Sequence, residues 1–143
     1  MYEYACEVNR VVDGDTVDVT LDLGFDIHFF SRVRLYGIDT PESRTRDLDE
    51  KARGFLSKKF LVEAITDKKV VIRTKMKDSR GKYGRVLGEI WVGRKNINKD
   101  MVKNYHAVRY YGQSKTDVQA EHDANRAVLI EKGIFDPETV RGK

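Results

Sequence analysis

The fold is decided by the stretch TVDVTLDL at residues 16–23, in which polar and apolar side chains alternate strictly. Successive side chains of an extended strand point to opposite faces, so the valines and leucines share one face. The pattern therefore predicts a half-buried strand with that face on a hydrophobic core. Gly24 follows directly and marks a turn.

The flanking residues extend this strand into an antiparallel meander. Residues 5–12 form a plausible first strand, and the alternation resumes after Gly24 and runs to Leu35. The apolar pattern is interrupted near Phe30 and Ser31, which predicts a β-bulge that would help the strand curl.

The rest of the chain alternates between helical and extended patterns. Apolar residues at helical spacing predict a helix over residues 48–65. The β-branched segment at residues 69–74 and the segment at residues 85–92 predict a fourth and a fifth strand.

Two further helices are predicted in the last third of the chain. Asn98 is a good N-cap for a short helix that ends near residue 104. Thr116 or Asp117 can cap a last helix. This helix would present one small apolar face, made of Ala120, Ala124, Ala127 and Val128.

This order of elements predicts an α+β protein that is mainly a β barrel. Three strands, a helix, two strands and two helices match a five-stranded Greek-key barrel of the OB-fold type with three helices. The length of 143 residues suits a single domain over residues 1–143, with a flexible tail from about residue 137.

The composition allows a nucleic-acid partner without requiring one. There are 27 Lys and Arg against 23 Asp and Glu, for a net charge of +4. Cys6 is the only cysteine, which excludes an intrachain disulfide. No apolar run approaches membrane-spanning length and no leader pattern follows Met1. We therefore expect no membrane partner and a cytoplasmic protein, or a secreted one if a leader was removed.

Carboxylates stand at the two ends of neighbouring predicted strands. DGDT at residues 13–16 begins the second strand, and DTPE at residues 39–42 follows the third. Antiparallel neighbours place the start of one strand beside the end of the next, so Asp15 and Asp39 should converge. Two adjacent carboxylates repel each other unless a cation holds them. Oxygen ligands without a nearby His or Cys favour Ca²⁺ or Mg²⁺ over Zn²⁺.

Two arginines accompany these acidic residues. Arg34 lies on the polar side of the third strand and could simply form a salt bridge with the carboxylates. Together with Arg85 it could instead clamp a phosphodiester. Glu42 is near enough in sequence to hold or deprotonate a water molecule.

Each motif is a common turn when taken alone, but their order is specific. DGDT, then Arg34 five residues before DTPE, then KYGR at residues 82–85 resembles the staphylococcal nuclease (thermonuclease) family. The resemblance covers roughly residues 5–135. It implies a Ca²⁺-dependent phosphodiesterase that cleaves DNA and RNA with low sequence specificity and leaves 3′-phosphate ends. Single strands would be the preferred substrate, and the protein would act as a monomer.

The resemblance also implies a role for each matching residue. The catalytic residues would be Arg34, Glu42 and Arg85; the metal ligands would be Asp15, Asp39 and the carbonyl of Thr40; Asp13 would lie in the outer shell; and Lys82, Tyr83, Tyr110 and Tyr111 would bind the nucleotide.

Other interpretations of these residues stay open from sequence. Tyr110 and Tyr111 could merely cover the barrel mouth. The connection after Glu42 is shorter and less lysine-rich than in the founding enzyme, which leaves the reach over the substrate undetermined. His28 and His122 are expected on the surface. The alternative function is a non-catalytic nucleic-acid-binding OB module, although such a module has no need of the full acidic and basic set.

Overall fold

The computed structural model describes residues 2–75 and 86–140. Lys82, Tyr83 and Arg85 lie outside the described residues. Within these two ranges, no helix combines the length and the apolar character needed to cross a membrane.

The described residues form short strands, three helices and one 3₁₀ turn. The strands are β1 Glu3–Asp13, β2 Thr16–Asp22, β3 His28–Leu35, β4 Ile38–Asp39, β5 Val70–Thr74, β6 Val86–Val92, β7 Lys95–Asn96 and β8 Val108–Arg109. The helices are α1 Leu48–Ile65, α2 Ile97–Lys103 and α3 Lys115–Glu131, and the 3₁₀ turn is Pro137–Thr139.

Five strands close into a barrel in the order β3, β2, β1, β5, β6. All neighbours in this order are antiparallel, and a parallel pairing of β3 with β6 completes the circle, with Val33 opposite Val86. The predicted α+β fold, a five-stranded barrel with three helices, is confirmed.

The barrel interior is filled by the apolar face of each alternating strand. Val17, Val33, Ile72 and Ile90 are fully buried there, and Leu61 of α1 joins the same core. Burying each such side chain contributes about 1.5–3 kcal/mol. The strict alternation at residues 16–23 therefore places one face of β2 inside and leaves the other free to carry polar groups.

The predicted bulge near Phe30 is wrong. β2 and β3 pair residue by residue from Thr16 opposite Arg34 to Asp22 opposite His28, without a shift. Ser31 occupies an inward position of a regular strand, opposite Val19. A polar residue at an inward position interrupts an apolar pattern just as a bulge does. The irregularities lie in β1 instead, on either side of residues 10 and 11.

Both predicted helix caps in the last third are displaced. Asn96 caps α2 and accepts a hydrogen bond from the Lys99 amide over 3.2 Å. Ser114 caps α3 in the same way through the Asp117 amide. Asn98 therefore lies inside α2, where its side chain is buried and forms hydrogen bonds with backbone groups of other elements.

The predicted alanine face of α3 is also wrong. Ala120, Ala124 and Ala127 are exposed, whereas His122 and Leu129 are buried. The face of α3 that packs against the rest of the domain is mainly polar. A search for apolar residues at helical spacing therefore identifies the exposed face instead.

Candidate active site

Two chain turns bring Asp15 and Asp39 to a single guanidinium group. Nη1 of Arg34 lies 3.4 Å from Oδ2 of Asp15, and Nη2 lies 3.4 Å from Oδ1 of Asp39. The pairing of β2 with β3 explains the contact with Asp15, because Arg34 lies opposite Thr16, the residue that follows Asp15 in the chain. The convergence expected from the sequence is therefore observed.

The backbone after β3 fixes the Arg34 side chain. Its Nη1 donates hydrogen bonds to the carbonyl oxygens of Leu35 at 3.1 Å and Ile38 at 2.9 Å. The side chain is mostly buried, with 15% of its surface exposed. Arg34 is thus a salt-bridge partner of both carboxylates in this structure, which was one of the two interpretations open from sequence.

Asp15 and Asp13 each accept hydrogen bonds from the segment that follows β4. Asp15 accepts hydrogen bonds from the Thr16 hydroxyl at 3.0 Å and from the Thr40 backbone amide at 3.3 Å. Asp13 accepts a hydrogen bond from the hydroxyl of Ser43. Ser43 is buried and was not singled out by the sequence patterns. These bonds join the turn before β2 to the segment after β4.

Glu42 stands in a strongly acidic environment. Its backbone amide donates to Oε2 of Glu50 over 3.1 Å. Partial burial raises the pKa of the Glu42 carboxyl, and the negative charges of Asp15, Asp13, Asp39 and Glu50 raise it further. Such crowding of carboxylates is the electrostatic setting that a cation relieves.

Two small residues of α1 allow both acidic turns to approach the helix. A Cβ atom on Gly54 would lie 2.7 Å from the Glu42 carbonyl carbon, and one on Gly14 would lie 2.8 Å from the Cβ of Ser57. Gly54 and Ser57 are three residues apart and so share a face of the helix. The signal was present in the sequence as small residues at helical spacing, but only the packing shows what they contact.

A cleft of about 910 Å³ opens beside Arg34 and Asp39. It is lined by Arg34, Asp39, Thr40 and Glu42 on one side and by Tyr110, Tyr111 and α3 on the other.

Both tyrosines line the cleft, and Tyr111 has a defined position there. Its ring lies edge-on to Tyr36 with ring centres 5.9 Å apart, and it packs over Gly37, which has a φ of +79°. Tyr110 is 40% exposed and Tyr111 69% exposed, so both keep surface available to a ligand.

His122 is the site residue that sequence reasoning placed wrongly. It was expected on the surface, but it is buried, and its Nε2 lies 2.8 Å from Oδ2 of Asp39. The same face of α3 carries Asn125 and Arg126, which contact the Ala107 carbonyl and Asp49. The signal in the sequence was a set of polar residues at helical spacing on α3, which a search for apolar spacing does not detect.

The donor set of the cleft fits a hard divalent cation. Asp15 and Asp39 meet around one positive charge, and burial together with the negative charges of these and other nearby carboxylates raises the pKa of Glu42. Within residues 2–75 and 86–140, no three acidic, imidazole or thiol side chains converge closely enough to hold an ion alone. A backbone carbonyl and water would have to complete the shell, as oxygen-rich Ca²⁺ sites allow.

The chain belongs to the staphylococcal nuclease family. Residues 32–134 match the family described as "Staphylococcal nuclease homologue". This range contains the carboxylates of β4 and of the segment after it, the helix α1 and the whole of α3.

Known nucleases are similar to the chain along most of its length. It is 33% identical over 96 residues to a thermonuclease of Staphylococcus intermedius, a match that covers 67% of this chain and 54% of that protein. It is 28% identical over 135 residues to a thermonuclease of Staphylococcus hyicus, covering 93% of this chain and 76% of that protein. It is 33% identical over 141 residues to a micrococcal nuclease of Shigella flexneri, covering 89% of this chain and 72% of that protein.

Proposed function

We propose that this protein is a Ca²⁺-dependent nuclease that hydrolyses phosphodiester bonds of DNA and RNA. The observation that carries the proposal is the convergence of Asp15 and Asp39 on Arg34, beside a cleft that Arg34, Asp39 and Glu42 line. Family membership and the similarity to three nucleases support it independently.

The metal would be held by Asp15, Asp39 and the carbonyl of Thr40, with Asp13 in the outer shell beside Ser43. When bound, Ca²⁺ would supply positive charge that polarises the phosphodiester. Ca²⁺ suits the site because it accepts irregular oxygen shells, whereas Mg²⁺ demands a compact octahedron.

The phosphate would be held by Arg34 together with Arg85. Two of the Arg34 hydrogen bonds go to backbone carbonyls, which fix the guanidinium while its contacts with the two carboxylates are long. Positive charge at this position offsets the extra negative charge of the five-coordinate transition state.

Glu42 would hold or deprotonate the attacking water. A carboxyl group with a raised pKa is a stronger base than an ordinary glutamate once it is ionised. Its position in the lining of the cleft, with the charges of Asp15 and Asp39 nearby, supports this role.

The nucleotide would be bound by Tyr110 and Tyr111, with Lys82 and Tyr83. Exposed aromatic rings accept any base by stacking, so the chain should prefer single strands and show low sequence specificity. We propose that it acts as a monomer and leaves 3′-phosphate ends.

Cleavage of a labelled single-stranded oligonucleotide tests the proposal. Wild-type protein should cleave with Ca²⁺ and stop when a chelator is added. Arg34→Ala and Glu42→Gln should each reduce kcat by about a thousandfold, since each removes several kcal/mol of transition-state stabilisation. Arg32→Ala is the matched control, because Arg32 lies on the same strand but pairs with Asp18 on the surface.

The opposite results are equally clear. Cleavage that survives chelation, or that Arg34→Ala leaves intact, would contradict this mechanism. Tight oligonucleotide binding without any cleavage would favour the non-catalytic binding module instead.

A further inference from the structure

Asp39 is held through its two carboxylate oxygens by residues from different parts of the chain. Oδ1 faces Nη2 of Arg34 at 3.4 Å, and Oδ2 faces Nε2 of His122 at 2.8 Å. The strand that carries Asp39 is only two residues long, so the backbone alone does little to orient its side chain. His122 is 7% exposed and lies on α3, 83 residues further along the chain.

We propose that His122 is a positioning residue that orients the Asp39 carboxylate for the metal ion. The inference rests on the proposed function, which makes Asp39 a ligand. An ionised carboxylate only accepts hydrogen bonds, so Nε2 of His122 is the donor. With Oδ2 held in this way, Oδ1 is kept in place toward the side of Arg34 and Asp15, where the second carboxylate lies.

The two contacts of Asp39 differ in strength. A separation of 2.8 Å is a short hydrogen bond, whereas 3.4 Å is near the upper limit. His122 therefore holds Asp39 more firmly than Arg34 does. A phosphate that took over the long Arg34 contact would therefore leave Asp39 in place, because the histidine still holds the carboxylate.

Other groups of α3 also anchor the helix. Asn125 donates to the Ala107 carbonyl over 3.1 Å, Arg126 pairs with Asp49 at 2.8 Å, and Leu129 is buried. These three groups lie on the same face as His122 and dock the helix. The specific consequence of His122 is its contact with Asp39.

Calorimetric titration of the metal-free protein with Ca²⁺, without substrate, tests the inference. His122→Ala should weaken Ca²⁺ binding by about ten- to a hundredfold, the usual effect of removing a group that orients a metal ligand. His122→Gln should stay within about threefold of wild type, because the glutamine amide can donate from a similar position.

Asn125→Ala is the matched control. It removes a different hydrogen bond from the same face of α3, so it should lower the thermal unfolding midpoint but leave Ca²⁺ affinity unchanged. A merely structural role of His122 would make the histidine and asparagine variants behave alike.

Three results would overturn the inference: unchanged Ca²⁺ affinity in His122→Ala, no recovery in His122→Gln, or an equal loss of affinity in Asn125→Ala. Wild-type protein that binds no Ca²⁺ would overturn it as well. Wild-type protein that binds Ca²⁺ but cleaves nothing would refute the nuclease and leave the role of His122 at the ion intact. Cleavage by wild type together with unchanged Ca²⁺ binding by His122→Ala would refute only the role of His122.

Discussion

The side-chain amide of Asn98 donates a hydrogen bond to the backbone carbonyl of Tyr36 over 3.0 Å. The same amide reaches the Gly88 carbonyl at 3.2 Å, and its oxygen accepts from the Ile90 amide at 3.1 Å. Asn98 thus ties α2 to β6 and to the turn that follows β3. That turn lies between Arg34 and Asp39, so a buried side chain of α2 supports the candidate active site from behind.

Asn98→Ala should destabilise the protein by about 2–4 kcal/mol. The change leaves buried backbone groups of the barrel without their partner, and each such group costs about 1–3 kcal/mol. Urea unfolding measures the difference. Asn104→Ala is the control, since Asn104 makes one exposed hydrogen bond to the Asp100 carbonyl and should lose less than about 1 kcal/mol. Equal losses in the two variants would contradict a special role for Asn98.

Gly54→Ala should destabilise the protein by about 1–3 kcal/mol, the usual cost of overpacking. The new methyl group would meet the backbone of Glu42 and Ser43 at 2.7 Å, and backbone cannot move aside cheaply. Helix propensity alone predicts the opposite sign, because alanine is favoured over glycine by about 1 kcal/mol. Chemical denaturation decides between the two signs. Lys51→Ala on the exposed side of α1 should change little, and a stabilised Gly54→Ala would show that the close approach does not exist.

Asp49→Asn should destabilise the protein by about 1.5–3 kcal/mol at neutral pH, because it weakens contacts within α1 and between α1 and α3. Asp49 accepts hydrogen bonds from Arg53 at 2.8 Å and from Arg126 at 2.8 Å. Thermal unfolding measures the effect. Asp18→Asn is the matched control, because its pair with Arg32 is exposed and should contribute less than about 1 kcal/mol.

The acid stability of the same variant gives a second test. Burial raises the pKa of the Asp49 carboxyl, but hydrogen bonds from Arg126 and Arg53 outweigh it and hold the pKa below its usual value. Stability from this group is therefore present above the unfolded pKa of about 3.9 and is lost as pH falls through the lower folded pKa. Asp49→Asn should flatten the acid limb of the unfolding free energy. An acid limb as steep as that of wild type would contradict this account.

His106 should make the protein less stable in mildly acidic solution. Burial lowers the pKa of its imidazole, and its ring packs on Phe60 with centres 5.0 Å apart. Its Nδ1 has no hydrogen-bond partner within the described residues. As pH falls below about 6.5, His106 becomes protonated in the unfolded chain but stays neutral in the folded chain. The free energy of unfolding therefore falls.

His106→Phe should remove part of this loss between about pH 7.5 and pH 5.5, because the phenyl ring keeps the contact and cannot be protonated. Unfolding free energies at the two pH values measure the effect. His28→Phe, the same change at an exposed position, should leave the pH dependence unaltered. A pH slope unchanged by His106→Phe would contradict the prediction.

The barrel could be predicted from sequence because its signals are local. The alternation at residues 16–23 and the helical spacing at residues 48–65 each depend only on which side chains must face a core. Errors arose where a polar group takes an inward position, as Ser31 does in β3 and His122 does in α3. Hydrophobic patterning cannot detect such positions, because it registers only apolar side chains.

The convergence of the candidate site was predictable for a related reason. Asp15 and Asp39 flank one hairpin, so antiparallel pairing brings them together without knowledge of distant segments. His122, Ser43 and Gly54 were beyond such reasoning. Each acts through a contact with a residue on another element, and a local sequence pattern cannot predict which residue that is.

The amino-acid sequence by itself determined the order of strands and helices along the chain and the meeting of two carboxylates with one arginine, since these follow from side-chain periodicity and hairpin geometry. Only the tertiary structure decided what surrounds that meeting point. The close approach of α1 at Gly54 and the docking of α3 through His122, Asn125 and Arg126 depend on contacts between segments far apart in the chain. Complementary shape and paired hydrogen-bonding groups select those contacts, and neither is a property of one segment alone.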